Sequence, residues 1–138
     1  MKFFVAAVSA AAVASAQAVF SVSDFTASCI PHSSQCSYSF GVLQPGTMET
    51  TPVQCSKMLT ASGTSNLPDV TDGTCTDSSR TWTITRSDAG LVFTVTQPVT
   101  PSSNQSGTYT IPADQLAVAT QPNAEVESYT GPTSFDLN

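Results

Sequence analysis

Positively charged side chains are scarce in this 138-residue chain, which has four Lys and Arg residues against ten Asp and Glu residues. Lys2 lies at the extreme N-terminus, so the cations of the rest of the chain are Lys57, Arg80 and Arg86. Proteins that bind nucleic acids or anionic membranes need a cationic surface for electrostatic attraction. The charge balance therefore argues against both nucleic acid and membrane as partners.

Sequence signatures of catalysis are also missing. The chain has one histidine, His32, and contains neither a GxSxG nucleophile elbow nor a glycine-rich phosphate loop. Asp24, Ser28, Ser33 and Ser34 are near His32 in sequence, but a serine-rich chain provides such neighbours by chance. We therefore predict a protein without enzymatic activity, cofactor or metal, and we interpret His32 as a structural or surface residue. A hydrolase of cell-wall sugars, with two converging carboxylates, is the less favoured alternative.

No hydrophobic run reaches the roughly 20 residues that a transmembrane helix needs. An apolar run at residues 3–13 follows Lys2 and precedes two small-x-small sites, Ala14-Ser15-Ala16 and Ala16-Gln17-Ala18. This order is typical of a secretory signal peptide. We predict that residues 1–18 are a signal peptide, that residues 19–138 form one domain, and that the protein is secreted to the extracellular space.

The four cysteines, Cys29, Cys36, Cys55 and Cys75, all lie in the predicted domain. An even number of cysteines in an oxidising compartment indicates two disulfides, for which three pairings are possible. Their spacings are not the CxxC spacings of a zinc site. We predict the nearest-neighbour pairing, Cys29–Cys36 and Cys55–Cys75, although the sequence leaves the other two open.

Alternating apolar and polar residues indicate β-strands along most of the domain. The first alternation, from Phe20, changes phase near Asp24, which indicates a bulge, and it ends at Ile30-Pro31. No segment has the 3.6-residue repeat of an amphipathic helix. We predict an all-β domain, a compact antiparallel barrel or sandwich of about 7–9 short strands, with the strands at residues 20–27, 35–43, 53–59, 81–86, 91–97, 107–111, 116–119 and 126–129. Residues 87–90 are predicted to form a hairpin loop, and residues 115–119 could instead form one helical turn.

Two segments, residues 60–77 and 98–107, have turn-forming composition without periodicity and are predicted to be long loops. The first contains residues 69–73, predicted to be an ordinary turn because the ligand pattern of a calcium loop is absent. The second contains Asn104-Gln105-Ser106, a possible N-glycosylation site at Asn104. These loops and the Cys29–Cys36 loop are candidate recognition surfaces.

The aromatic side chains are interpreted as core residues. An apolar pocket among them would instead make the protein a carrier of a small apolar ligand, which is the main alternative function. The side chains concerned are Phe20, Phe25, Tyr38, Phe40, Trp82 and Phe93.

One stretch carries a family resemblance. The strand pattern FxVxDF is followed by ASCIPHSSQCSYSFGV, then by Val53-Gln54-Cys55 and a segment that leads to Cys75. This layout resembles the fungal Alternaria major-allergen-like domain family of small secreted proteins, over Val19 to about Tyr129. The most specific part is Asp24-Phe25 with Cys29-x6-Cys36 and the aromatic alternation after it.

The resemblance implies a compact antiparallel β-barrel or sandwich with the two nearest-neighbour disulfides. It implies a non-enzymatic effector or elicitor that binds, or is recognised by, a host protein such as a plant defence protein, and that triggers a hypersensitive response. The founding allergen has an extra cysteine that joins two subunits. This chain has none, so we expect a monomer or a non-covalent dimer. We interpret residues 20–40 as the stretch that determines the fold, and expect the binding surface on loops elsewhere.

Overall fold

The computed structural model describes residues 18–63, 66–121 and 124–138. The predicted signal peptide therefore lies outside the described residues, except for Ala18. Within the described part of the chain, no helix has the length and apolar character needed to cross a membrane.

Strands dominate the structure. A 3-10 turn, Ala113–Gln115, precedes the eighth strand. In chain order the strands are β1 (Phe20–Cys29), β2 (Gln35–Leu43), β3 (Val53–Thr60), β4 (Val70–Thr74), β5 (Thr81–Ser87), β6 (Gly90–Thr100), β7 (Ser103–Pro112), β8 (Leu116–Gln121), β9 (Ala124–Tyr129) and β10 (Phe135–Leu137).

The strands form two antiparallel sheets. The larger sheet has six strands in the order β3-β2-β1-β9-β8, with β10 also paired to β1, and the smaller has the order β4-β5-β6-β7. The all-β prediction is therefore confirmed. Of the two predicted architectures, barrel and sandwich, the structure has the sandwich, because the sheets do not close into a barrel. The described residues contain ten strands. Two of them, β4 and β10, were not predicted.

The first strand, β1, lies in the middle of the larger sheet. One of its edges pairs with β2, and its other edge is shared by β10 at Phe20 and by β9 at Ser28. The register with β2 shifts between Ser23 and Thr26, and Asp24 has a φ of 53°. The predicted bulge near Asp24 is therefore confirmed, and it keeps Phe25 on the same inner face as Phe20.

The core between the sheets is built from aromatic rings. The ring centroids of Phe40 lie 5.0 Å from Trp82 and 4.9 Å from Phe93, and both pairs meet edge to face. Edge-to-face packing adds to the free energy gained from burial of the rings. All six aromatic side chains that could have lined a pocket are buried in this core: Phe20, Phe25, Tyr38, Phe40, Trp82 and Phe93.

Both disulfides have the predicted nearest-neighbour pairing. Cys29–Cys36 joins directly opposed residues of β1 and β2 and closes the hairpin loop between them. Cys55–Cys75 joins β3 of the larger sheet to the residue that follows β4 of the smaller sheet. The second disulfide therefore holds the two sheets together at one edge of the sandwich.

The prediction that residues 60–77 form one long loop was wrong in its second half. Residues 70–74 form β4, which pairs with β5 and buries Val70. The predicted turn at residues 69–73 is therefore largely strand. The apolar alternation is weak because β4 has its own register shift between Val70 and Gly73.

The predicted loop at residues 98–107 is also mostly strand. β6 runs to Thr100 and β7 begins at Ser103, so the turn between them is short. Pro98 is tolerated because β6 pairs with β5 only up to Thr96, and beyond that point it has a single neighbour, β7. Asn104, the possible glycosylation site, is exposed on β7 opposite Pro98.

Candidate recognition surface

The strand directions place the connecting segments at two ends of the sandwich. The β1–β2 loop (residues 30–34), the β3–β4 connection (residues 61–69) and the β5–β6 turn lie at one end, which we call the His32 end. The β2–β3 loop (residues 44–52) and the β6–β7 turn lie at the opposite end. Of the three predicted recognition loops, the structure therefore brings two together and separates the third.

The β1–β2 loop is fixed at its base and within itself. The Cys29–Cys36 disulfide closes it, and the amide of Ile30 donates to the carbonyl of Gln35 over 2.9 Å. Inside the loop, the amide of Ser33 donates to the Ile30 carbonyl, and the amide of Gln35 donates to the Ser33 hydroxyl over 3.1 Å. The backbone of this loop is therefore ordered before any partner binds.

The β3–β4 connection packs beside that loop. The amide of Ala61 donates to the carbonyl of Ser34 over 2.7 Å. Ser62 and Asn66 exchange two backbone hydrogen bonds, of 2.9 and 3.0 Å, which hold these two residues of the connection together. The bond from Ala61 to Ser34 therefore holds the start of this connection beside the β1–β2 loop.

An ion pair between the buried Glu127 and the partly exposed Arg86 anchors the β3–β4 connection. Oε1 of Glu127 accepts from Arg86 Nη2 over 2.6 Å and from the amide of Leu67 over 2.8 Å, and Arg86 also donates to the Leu67 carbonyl. Glu127 is 6% exposed, so its charge is compensated almost wholly by these partners. Sequence reasoning missed this pair, because two single charges 41 residues apart give no signal of contact.

A second buried polar contact reaches the same connection from β2. The phenol of Tyr38 donates to the carbonyl of Pro68 over 2.8 Å. Burial raises the pKa of the Tyr38 phenol, which the nearby charge of Arg86 partly opposes. The phenol therefore remains a neutral hydrogen-bond donor throughout the physiological pH range, and it fixes the connection to the core.

The β1–β2 loop exposes Ile30, Pro31 and His32 at its tip. Ile30 is 37% exposed, and His32 has a φ of 60°, which turns the chain at the loop tip. In the described part of the chain, no side-chain hydrogen bond joins His32 to a carboxylate or to a serine hydroxyl. The tip therefore offers an apolar side chain, a proline ring and an imidazole to a binding partner.

The carboxylates near this end do not form a metal site. Asp69 accepts from the amide of Arg86 over 2.9 Å, and Asp72 pairs with Lys57 over 3.4 Å at the protein surface. Among residues 18–63, 66–121 and 124–138, no group of three or more His, Cys, Asp and Glu side chains is placed to hold a metal ion.

The opposite end has a polar cluster of its own, centred on Arg80. Its guanidinium donates to Glu49 over 2.9 Å and lies over the ring of Phe20, 5.4 Å from the centroid. Oε1 of Glu49 also accepts from the amide of Gln44. This cluster holds the β2–β3 loop against the sandwich. An open groove of about 340 Å³ beside the same loop is lined by Ala18, Val19, Gln44, Pro45, Gly46 and Gln105, and not by the core aromatics.

The Arg80–Glu49 contact predicts a pH dependence of stability. Burial alone would raise the pKa of Glu49, but the Arg80 hydrogen bond, the Gln44 amide and the Arg80 charge together lower it below its ordinary value of 4.5. A pKa lowered by folding stabilises the native state above pH 4.5, and this contribution is lost as the pH falls through the lower native value.

Thermal unfolding of the wild type and of Glu49→Gln, at neutral pH and near pH 3, measures this effect. We expect the melting temperature of the wild type to fall more on acidification than that of Glu49→Gln, because only the wild type loses a carboxylate–guanidinium contact. Equal falls would contradict the assignment.

Comparison of the sequence with protein-family models gives no match, and comparison with curated proteins gives none either.

Proposed function

We propose that the protein is a secreted, non-enzymatic fungal effector or elicitor, and that a plant defence protein recognises it at the His32 end. The observation that carries the proposal is the rigid exposed tip, Ile30-Pro31-His32, on two loops that hydrogen bonds and a disulfide hold together. The resemblance of residues 19–129 to the fungal family supports the class of function. The two disulfides fit an extracellular protein.

The rigidity of the surface supports recognition by a folded partner. Ordering a flexible loop on binding lowers affinity, and a loop already fixed by its own bonds avoids most of that loss. The composition of the tip supports a protein partner. The apolar side chain of Ile30 lies close in sequence to the hydrogen-bonding imidazole of His32, and the centres of protein interfaces combine such groups. Glu127 is buried and paired with Arg86, so its carboxylate adds no free negative charge to this surface.

Infiltration of purified protein into leaves tests the proposal. We expect the wild type to provoke local cell death or defence signalling, and we expect Ile30→Asp and His32→Gly to lose most of this response. Glycine at position 32 removes the imidazole and still accepts a positive φ, so the backbone of the tip is preserved.

Met48→Asp is the matched control, because Met48 is 96% exposed in the β2–β3 loop at the opposite end. This variant should act like the wild type. Absence of any response across several plant hosts would overturn the elicitor function. A response that all three variants retain would place recognition elsewhere on the molecule.

A further inference from the structure

The edges of the two sheets differ in how they are protected. An unprotected edge strand exposes backbone donors and acceptors that can pair with another chain. β3 and β4 meet through the Cys55–Cys75 bridge and a hydrogen bond from the Thr76 amide to the Gln54 carbonyl. β7 is covered at Thr108, which exchanges two backbone hydrogen bonds with Asn138. Three of the four sheet edges are therefore partly closed by the chain itself.

The fourth edge is β8, Leu116–Gln121, at the end of the larger sheet. Its sequence, LAVATQ, contains no charge and no proline, the two features that usually prevent edge pairing. Ala117, Val118 and Ala119 are all exposed, with Val118 57% exposed, so three consecutive apolar residues face solvent. No strand other than β9 is paired with β8 within the described part of the chain.

The pairing with β9 determines which backbone groups of β8 face outward. The amide of Thr130 donates to the carbonyl of Gln115, next to the opposed pair Leu116 and Tyr129. Hydrogen-bonded and non-bonded pairs alternate in an antiparallel ladder, so Ala117 and Ala119 bond to β9. The N–H and C=O groups of Leu116, Val118 and Thr120 therefore point to the open edge.

We propose that β8 pairs antiparallel with β8 of a second copy of this chain, around a twofold axis at Val118. In that register Val118 lies opposite its own counterpart, and Leu116 lies opposite Thr120 of the other copy. Each of the three opposed pairs exchanges two backbone hydrogen bonds, and the outward groups of all three residues are used. The larger sheets of two copies become one continuous sheet, which is a closed, isologous contact.

The charge distribution favours a second copy as the occupant. The protein is acidic, with a formal net charge of −6, and like charges on two copies oppose association. β8 carries none of the ten carboxylates, so this edge is a place where two copies can meet without opposed charges. A cationic partner would find no carboxylate on β8 to bind. The proposal is independent of the proposed function.

Sedimentation velocity over a range of concentrations tests the proposal. One six-residue strand pair buries less surface than a standard interface, so association should be weak and visible at about 100 µM and above. The sedimenting mass should rise toward twice that of the monomer, and should rise further in about 0.5 M salt, because salt screens the repulsion between the acidic copies.

Val118→Lys should abolish this rise, because it places two lysines directly opposite each other at the twofold axis. Val99→Lys is the matched control, since Val99 is 58% exposed on β6, away from the β8 edge, and this variant should associate like the wild type. Val118→Pro should also abolish the rise. Proline removes the Val118 N–H, which points to the open edge, and leaves the hydrogen bonds between β8 and β9 intact. A monomer at every concentration and salt, or equal association of Val118→Lys and Val99→Lys, would overturn the proposal.

Discussion

Replacement of Gly73 by alanine is expected to lower the free energy of unfolding by about 3 kcal/mol, the upper part of the range for added volume in a packed core. Gly73 lies on β4 directly opposite Trp82 of β5, and the indole ring crosses over it. A Cβ at position 73 would overlap the ring. Trp82 is buried and donates from Nε1 to the carbonyl of Thr74 over 3.0 Å, so the ring cannot move without loss of packing and of this hydrogen bond.

Urea denaturation of Gly73→Ala, Trp82→Phe and the double variant measures the effect and its cause. The smaller ring of phenylalanine should make room for the added methyl group, so the double variant should be at least about 1 kcal/mol more stable than the two single effects predict. Gly46→Ala is the control, since Gly46 has a φ of 80° and open space around it, and backbone strain alone should lower stability by only about 1 kcal/mol. Additive effects of Gly73→Ala and Trp82→Phe would contradict the close packing of these two residues.

The second large effect concerns the disulfide between the sheets. Replacement of Cys55 and Cys75 by alanine should lower the free energy of unfolding by about 3 kcal/mol, and replacement of Cys29 and Cys36 by about 2 kcal/mol, because the chain entropy released grows with loop length. The sequence separations are 20 and 7 residues. Alanine keeps these buried positions apolar in both double variants. The difference between their free energies of unfolding therefore reports mainly on the lengths of the loops that the disulfides close.

Denaturant titrations of the two double variants, analysed by linear extrapolation, provide the comparison. The two double variants should also differ in activity, since the Cys29–Cys36 disulfide closes the loop that bears His32. We expect that variant to be the more stable of the two and yet the one that loses activity in leaves. A larger loss of stability for the Cys29 and Cys36 variant would contradict the roles given to the two disulfides.

The sequence predicted those strands whose two faces differ in polarity. The bounds of β2 agree with the clean alternation of residues 35–43, and the β5–β6 hairpin agrees with its β-branched and aromatic faces. The bulge at Asp24 was visible as a change of phase. Both disulfides followed from the simplest pairing, and the family resemblance implied the same one.

Two segments predicted to be loops, β4 and the first half of β7, proved to be strands for physical reasons. β4 contacts the core through Val70 and through Gly73, which has no side chain to contribute to an apolar pattern. The first half of β7 is polar because its residues face solvent or hydroxyls of β6, as in the 3.0 Å contact of Thr96 with Ser106. Composition suggested a loop in both places, but pairing with a neighbouring strand determined the structure.

The candidate site was predicted in part. The sequence singled out the Cys29–Cys36 loop and the segment after Thr60, but it could not show that the two lie together, since their contact depends on the β2–β3 register. It gave no signal for the buried contacts of Glu127 and Tyr38 with residues 67 and 68, because they join residues far apart in the chain. The expectation that the binding surface lies outside residues 20–40 gives way to a proposed surface that includes Ile30 and His32.

Capture of a plant protein from leaf apoplastic fluid tests the proposed recognition most directly. Wild type, Ile30→Asp and Met48→Asp are immobilised at equal density, and the bound plant proteins are identified and quantified after washing. We predict that the wild type and Met48→Asp capture the same plant protein to a similar extent, and that Ile30→Asp captures at least about tenfold less, as for the loss of a central contact at an interface. Equal capture by Ile30→Asp and Met48→Asp would contradict recognition at the His32 end.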